Sequence, residues 1–169
     1  MKYPRRRGLA GGFTLIEMVV TLALVGLLAM MALPSLELAA KRAKEAELRA
    51  ALRTLRGGLD AYKAAVDAGL LVREAGESGY PKNLDVLTQS LELAGRRDLS
   101  ESLASKRMVI LRQLPRDPFS TDLQAPAATT WNTRAYASRA EDPQPGDDVF
   151  DVSSKSDNLG LDGTPYSSW

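Results

Sequence analysis

Residues 11–17 read Gly-Gly-Phe-Thr-Leu-Ile-Glu and lead directly into an apolar run, Met18–Leu36, that carries no formal charge. This run of 19 residues has about the length that an α-helix needs to cross a bilayer. Glu17 stands at its beginning, and a carboxylate in a membrane costs up to roughly 3 kcal/mol at mid-depth and less near the interface. The sequence therefore predicts a membrane helix in which Glu17 either has a specific partner or lies at the level of the lipid headgroups.

The apolar run differs from a secretory signal peptide. Signal peptides have an apolar core of about 7–15 residues, followed by a cleavage site with small residues. Here the run is longer, and Leu38 fills a position that should be small, so cleavage after the run is not expected. The helix is therefore expected to remain in the mature protein.

Basic residues before the run predict its orientation in the membrane. A basic leader favours a cytoplasmic N-terminus and translocation of the rest of the chain. A second basic group follows the apolar run and favours the opposite orientation, but its charge is diluted by neighbouring glutamates. The leader is therefore expected to determine the orientation. The leader group consists of Lys2, Arg5, Arg6 and Arg7, and the second group of Lys41, Arg42 and Lys44.

The hexapeptide Gly-Phe-Thr-Leu-Ile-Glu at residues 12–17, after a short basic leader and before an apolar run, resembles the class III signal of type IV pilin-like proteins. The resemblance implies that an inner-membrane prepilin peptidase cleaves between Gly12 and Phe13 and methylates the new amino group of Phe13. It also implies that Glu17 meets the terminal amine of a neighbouring subunit during assembly. Opposite charges attract strongly at low effective dielectric, and each relieves the other's desolvation. The amine is thus a suitable partner for Glu17.

Composition excludes several classes of function. The chain has 169 residues with 22 basic and 21 acidic side chains, and loss of the four leader charges would leave 18 against 21, or about −3. This mild acidity argues against a nucleic-acid partner, which would require a basic patch. The chain has no cysteine and no histidine, so disulfides, Ser-His and Cys-His nucleophile pairs and zinc sites of the usual kind are not expected. The sequence therefore predicts that the protein is not an enzyme.

The helix is predicted to continue beyond the membrane to about Gly69, a plausible C-cap. Glu45 and Arg49 have the spacing of a favourable ion pair on its surface. An apolar stripe along the same segment is expected to pack on the protein's own sheet, the alternative being a coiled-coil seam. The stripe comprises Leu48, Leu52, Leu55, Leu59, Tyr62 and Val66.

Gly26 and Pro34 interrupt the predicted membrane span. Proline removes a backbone donor and disfavours helix in the preceding residue, so a kink is predicted there. In the family resembled, this stretch bends or loses helicity when subunits pack into a filament. The alternative is that glycine and proline are simply more frequent in membrane helices.

The second half of the chain predicts short strands after the long helix. Strand candidates at 131–138 and 148–153 flank a turn rich in proline, glycine and aspartate. The predicted fold class is α+β and pilin-like, with a long N-terminal helix packed on a small antiparallel C-terminal sheet. The predicted segments are a cleaved leader, a membrane and assembly helix, its amphipathic continuation and a periplasmic head, at residues 1–12, 13–36, 37–69 and 70–169.

Two further motifs narrow the resemblance. Tyr80-Pro81 and the stretch Leu-Pro-Arg-Asp-Pro-Phe at 114–119, with a closing acidic loop that ends in Trp169, are similar to the major pseudopilin of type II secretion, called protein G. That family has a calcium site in the final loop, which makes calcium a candidate cofactor with Asp151, Asp157 and Asp162 as ligands. This chain lacks the family's run of paired aspartates, and the alternative is a hydrogen-bonded turn with Trp169 packed on the sheet.

These resemblances imply a structural subunit of a periplasmic pseudopilus. Its expected partners are further copies of itself, prepilin peptidase, other pseudopilins and the assembly platform of the bacterial inner membrane. Two alternatives stay open, namely a major or minor pilin of a surface pilus and a membrane-anchored calcium-binding module. The absence of cysteine counts against the pilin, because many surface pilins close a C-terminal loop with a disulfide.

Overall fold

The computed structural model describes residues 12–94 and 107–169, and it describes no side chains at 31–34. The predicted leader therefore lies outside the described residues except for Gly12. The chain divides into two units, residues 1–41 and 42–169. The division falls within the long helix α1, Leu15–Asp67.

The first unit contains the apolar part of α1. Its described side chains from residue 12 to 30 and from 35 to 40 are all exposed. Among the described residues, α1 is the one helix long and apolar enough to cross a membrane. Helical structure continues through Gly26 and Pro34, and the kink predicted there stays a prediction.

The second unit is built around the amphipathic part of α1. The predicted apolar stripe is confirmed as its buried face: Leu48, Leu55 and Leu59 are fully buried, and Leu52 and Val66 nearly so. The stripe packs on residues from the rest of the unit and so is not a free coiled-coil seam. These residues include Leu84, Leu87, Leu114, Trp131, Val149, Val152 and Tyr166.

The end of α1 confirms the predicted stop. Gly69 has φ +70°, a left-handed conformation that glycine adopts without strain. Its N–H donates to the carbonyl of Val66, and the N–H of Leu70 donates to that of Ala65, both at 2.9 Å. These two bonds form a Schellman motif, which satisfies carbonyls that the helix end leaves free.

The strands form two separate antiparallel pairs, where the sequence predicted one small sheet. Strand β1, Leu91–Glu92, pairs with β2, Arg107–Met108. Strand β3, Trp131–Arg134, pairs with β4, Asp151–Ser154, so that Trp131 lies opposite Ser154. Short 3-10 helices occur at Leu84–Thr88, Ala127–Thr130 and Tyr166–Ser168. The α+β class is confirmed. Strand β3 ends four residues before the predicted strand 131–138, because residues 136–137 form a turn. Strand β4 begins three residues after the start of the predicted strand 148–153 and extends one residue beyond its end.

Two adjacent glycines of α1 provide a matched test of this packing. A Cβ at exposed Gly57 would meet nothing within 4 Å, whereas one at buried Gly58 would lie 3.1 Å from Cδ1 of Leu111. Gly57→Ala is expected to stabilise the protein by about 0.5–1 kcal/mol because alanine favours the helix. Gly58→Ala should stabilise the protein clearly less, because the side chain of Leu111 has to move to make room for the new methyl group. Urea unfolding of both variants measures the difference, and equal gains would contradict the packing of Leu111 on Gly58.

Candidate functional site

The beginning of α1 is fixed by a reciprocal pair of hydrogen bonds. The N–H of Glu17 donates to Oγ1 of Thr14 at 3.2 Å, and the N–H of Thr14 donates to Oε2 of Glu17 at 3.5 Å. This is a capping box, which satisfies two backbone donors that a helix end leaves without partners. The negative carboxylate also lies in the first turn, where the helix dipole favours it.

The capping box leaves the Gly12–Phe13 bond outside the helix. Helix α1 begins at Leu15, and residues 12–14 have no regular structure. A Cβ at Gly12 would meet nothing within 4 Å, and Phe13 is 79% exposed. A peptidase could therefore bind this bond in an extended form without first unwinding a helical turn.

The same geometry relates Glu17 to the amine that cleavage would create. The carboxylate already contacts the backbone nitrogen of Thr14, and the new amine would belong to the preceding residue, Phe13. In the structure, Gly12 and Phe13 lie just before α1 and Glu17 lies in its first turn.

The C-terminal segment, Leu159–Trp169, is bound by a buried glutamate of α1, a contact that the sequence did not predict. Glu45 of α1 is only 4% exposed. Its Oε1 accepts the N–H of Leu161 at 2.7 Å and the hydroxyl of fully buried Tyr166 at 2.9 Å. Burial, and secondly the hydrogen bond to Glu45, raise the pKa of Tyr166 from 10.0 to about 12. The phenol therefore remains a donor, and its contribution to stability is lost only as the pH rises from about 10 through 12.

The predicted surface pair of Glu45 and Arg49 is replaced by contacts to this segment. The guanidinium of Arg49 lies 4.3 Å from the ring centroid of Trp169 and 3.7 Å from Oδ2 of Asp162. The sequence contained a signal for this arrangement. Glu45 lies three positions before Leu48, so it continues the buried stripe and is a carboxylate on the apolar face of the helix.

The three calcium candidates occupy different surroundings. Asp151 pairs with Nε of Arg56 at 2.8 Å and with Arg134 at 3.4 Å. Asp162 accepts the N–H and the hydroxyl of Thr164 at 3.0 and 2.7 Å, while Asp157 is exposed. The N–H of Thr164 is the main cause that lowers the pKa of Asp162, followed by its hydroxyl. Because the pKa is lowered, the associated stability is present at neutral pH and is lost as the pH falls through the lowered value.

These donors do not gather into a set of calcium ligands. Calcium takes 6–8 oxygens, whereas no group of three or more acidic residues that could hold a metal occurs within residues 12–94 and 107–169. Calcium binding stays a prediction from the sequence.

The Leu-Pro-Arg-Asp-Pro-Phe motif has a structural role. Asp117 is buried, and its carboxylate accepts the N–H of Phe119 at 2.8 Å and the hydroxyl of Ser154 at 2.6 Å. Phe119 stacks on Tyr166 at a centroid distance of 4.1 Å. The motif thus joins β4 to the C-terminal segment. Its signal in the sequence is an aspartate between two prolines, a residue that commonly bonds to nearby backbone donors.

Comparison with known families identifies the prokaryotic N-terminal methylation motif at residues 7–33. The motif is a type IV pilin-like signal and indicates a substrate of prepilin peptidase. The exposed apolar part of α1, which begins within the motif, is consistent with anchoring in the inner membrane. Comparison of the chain with curated proteins and with solved structures gave no match.

Proposed function

We propose that the chain is a structural subunit of a periplasmic pseudopilus, processed by prepilin peptidase and assembled with a type II secretion system. The observation that carries the proposal is the methylation motif at residues 7–33, joined to an exposed scissile bond and a capping glutamate at the beginning of α1. In this proposal the peptidase cleaves between Gly12 and Phe13 and methylates Phe13. The protein performs no catalysis of its own.

The exposed apolar surface of α1 supports assembly into a filament. Large apolar side chains exposed to water are unfavourable, and a contiguous patch of them marks a membrane or protein contact. The first unit presents such side chains on every side of the helix, including Leu15, Ile16, Val19, Leu22, Val25 and Leu28. Before assembly the bilayer would cover them, and in the filament neighbouring copies would do so.

The cellular location follows from the same proposal. The N-terminus faces the cytoplasm, α1 crosses the inner membrane once, and the second unit lies in the periplasm. Other pseudopilins and an inner-membrane assembly platform are the proposed partners beside further copies of the chain. The motifs at Tyr80-Pro81 and 114–119 support the pseudopilin over the surface pilin, because they belong to the resemblance with protein G.

Glu17→Ala tests the assembly role. The variant is expected to be cleaved at Gly12–Phe13, because the bond remains exposed, but to enter filaments at least about tenfold less than the wild type. The reason is that the terminal amine of each subunit would be left without its carboxylate in a medium of low dielectric. Crosslinking of membrane fractions, followed by quantification of multimers, measures incorporation.

Glu37→Ala provides the control, since Glu37 is exposed on the same helix. Normal incorporation of Glu17→Ala would contradict the proposed contact.

Shearing of cells distinguishes a periplasmic pseudopilus from a surface pilus. A pseudopilus predicts that wild-type cells release no sheared fibres of this protein and that deletion of its gene abolishes secretion. Abundant extracellular fibres of this protein would instead support a surface pilus.

A further inference from the structure

Three α1 side chains hold the C-terminal segment Leu159–Trp169 against the second unit. Glu45 accepts hydrogen bonds from Leu161 and Tyr166. Arg49 lies over the ring of Trp169 and reaches Asp162. Arg56 donates to Asp151 and to the main-chain oxygens of Val152 and Trp169, at 2.8, 3.1 and 2.7 Å. We call Glu45, Arg49 and Arg56 the anchoring row.

The segment also closes on itself. The N–H of Gly160 donates to the carbonyl of Thr164 at 2.7 Å, and Leu159 forms a bridge with Pro165. The indole N–H of Trp169 donates to Oγ1 of Thr164 at 2.6 Å. A Cβ at Gly160 would lie 2.7 Å from the ring of Trp169, so only glycine permits this approach. The carbonyl and the hydroxyl of Thr164, two oxygens that could serve as metal ligands, thus accept hydrogen bonds within the segment.

Charge in this region is balanced by protein groups. Two carboxylates, on Asp151 and Asp162, lie beside three guanidinium groups. Two of these groups belong to the anchoring row, and the third is Arg134, which contacts Asp151. A divalent cation beside Asp151 or Asp162 would be repelled by the arginine already paired there.

We propose that the anchoring row holds the C-terminal segment without a metal ion, so that the fold of the second unit is independent of calcium. Arginine pairs and the buried carboxylate of Glu45 supply the fixation that a bound cation would otherwise give. The proposal concerns the fold alone and stands apart from the proposed role in a filament.

The test uses the full chain in detergent, with thermal unfolding and amide hydrogen exchange measured in calcium chloride and in EDTA. The wild type is expected to have the same Tm and the same exchange of residues 159–169 in both solutions. A saturable rise of Tm with calcium that is lost in Asp162→Asn would overturn the proposal.

Variants of the anchoring row test whether its side chains hold the C-terminal segment. Glu45→Ala is expected to speed exchange in residues 159–169 at least about tenfold, because a charged acceptor of two hydrogen bonds is removed from a buried site. Exchange in the α1 segment 52–59 should change less. Glu47→Ala is the control, since Glu47 is exposed on the same turn of the helix.

If Glu45→Ala fails to fold, Arg56→Gln provides a second variant for the same hydrogen-exchange measurement. It leaves the interior intact, since the Arg56 side chain is 40% exposed, and it should loosen the same segment in both solutions. Unchanged exchange in Arg56→Gln, or restoration of wild-type exchange by calcium in either variant, would overturn the proposal.

Discussion

Replacing Gly12 with alanine is expected to leave most of the chain in its uncleaved precursor form. The residue is exposed and an added Cβ meets nothing within 4 Å, so the variant should fold normally and the effect should arise at the peptidase. One extra methyl group in a close-fitting pocket costs about tenfold to two hundredfold in kcat/KM, and alanine also restricts the backbone that the enzyme has to bind. Immunoblots of precursor and mature protein measure the ratio.

Gly26→Ala is the matched control for this experiment. Gly26 is also a glycine with nothing within 4 Å of an added Cβ, but it lies within α1, away from the bond. Its processing should equal that of the wild type. Cleavage of Gly12→Ala at the wild-type rate would contradict the assignment of Gly12–Phe13 as the processed bond.

The second large effect is expected in the core of the second unit. Leu55 is fully buried at the centre of the apolar stripe of α1. Leu55→Ala should lower the free energy of unfolding by about 2–5 kcal/mol, because it removes buried methyl groups and leaves a cavity. Urea unfolding of the full chain in detergent, followed by far-UV circular dichroism, measures the loss.

Leu123→Ala controls for the change of residue type. Leu123 is 80% exposed, so its replacement should change stability by no more than about 0.5 kcal/mol. Equal effects at the two positions would mean that the stripe is not the interior of this unit.

Helical periodicity explains why much of the fold could be predicted from the sequence. Apolar residues that recur every three or four positions lie on one face, and the stripe from Leu48 to Val66 is accordingly buried. The end of the helix was predictable for a local reason as well, because glycine at 69 adopts a conformation that other residues avoid.

Periodicity identifies a buried face without identifying what covers it. The partner of Glu45 is Leu161, 116 residues further along the chain, and local spacing suggested Arg49 instead. The pair of β1 and β2 escaped prediction for a related reason. Strands as short as Leu91–Glu92 and Arg107–Met108 have too few residues to show an alternating pattern.

The methylation motif at residues 7–33 could be predicted from the sequence because its signal is contiguous. Gly12, Phe13 and Glu17 lie within six consecutive residues around the beginning of α1. Their roles depend on order along the sequence rather than on a fold that brings distant residues together. The structure added the capping box, in which the carboxylate of Glu17 accepts the N–H of Thr14.

Intact-mass spectrometry of the protein purified from its native membrane, with sequencing of the N-terminal peptide, shows whether the chain is cleaved between Gly12 and Phe13. We expect a chain that begins at Phe13 and carries one methyl group on its amine. A chain that retains residues 1–12, or one that begins at any other residue, would contradict this expectation.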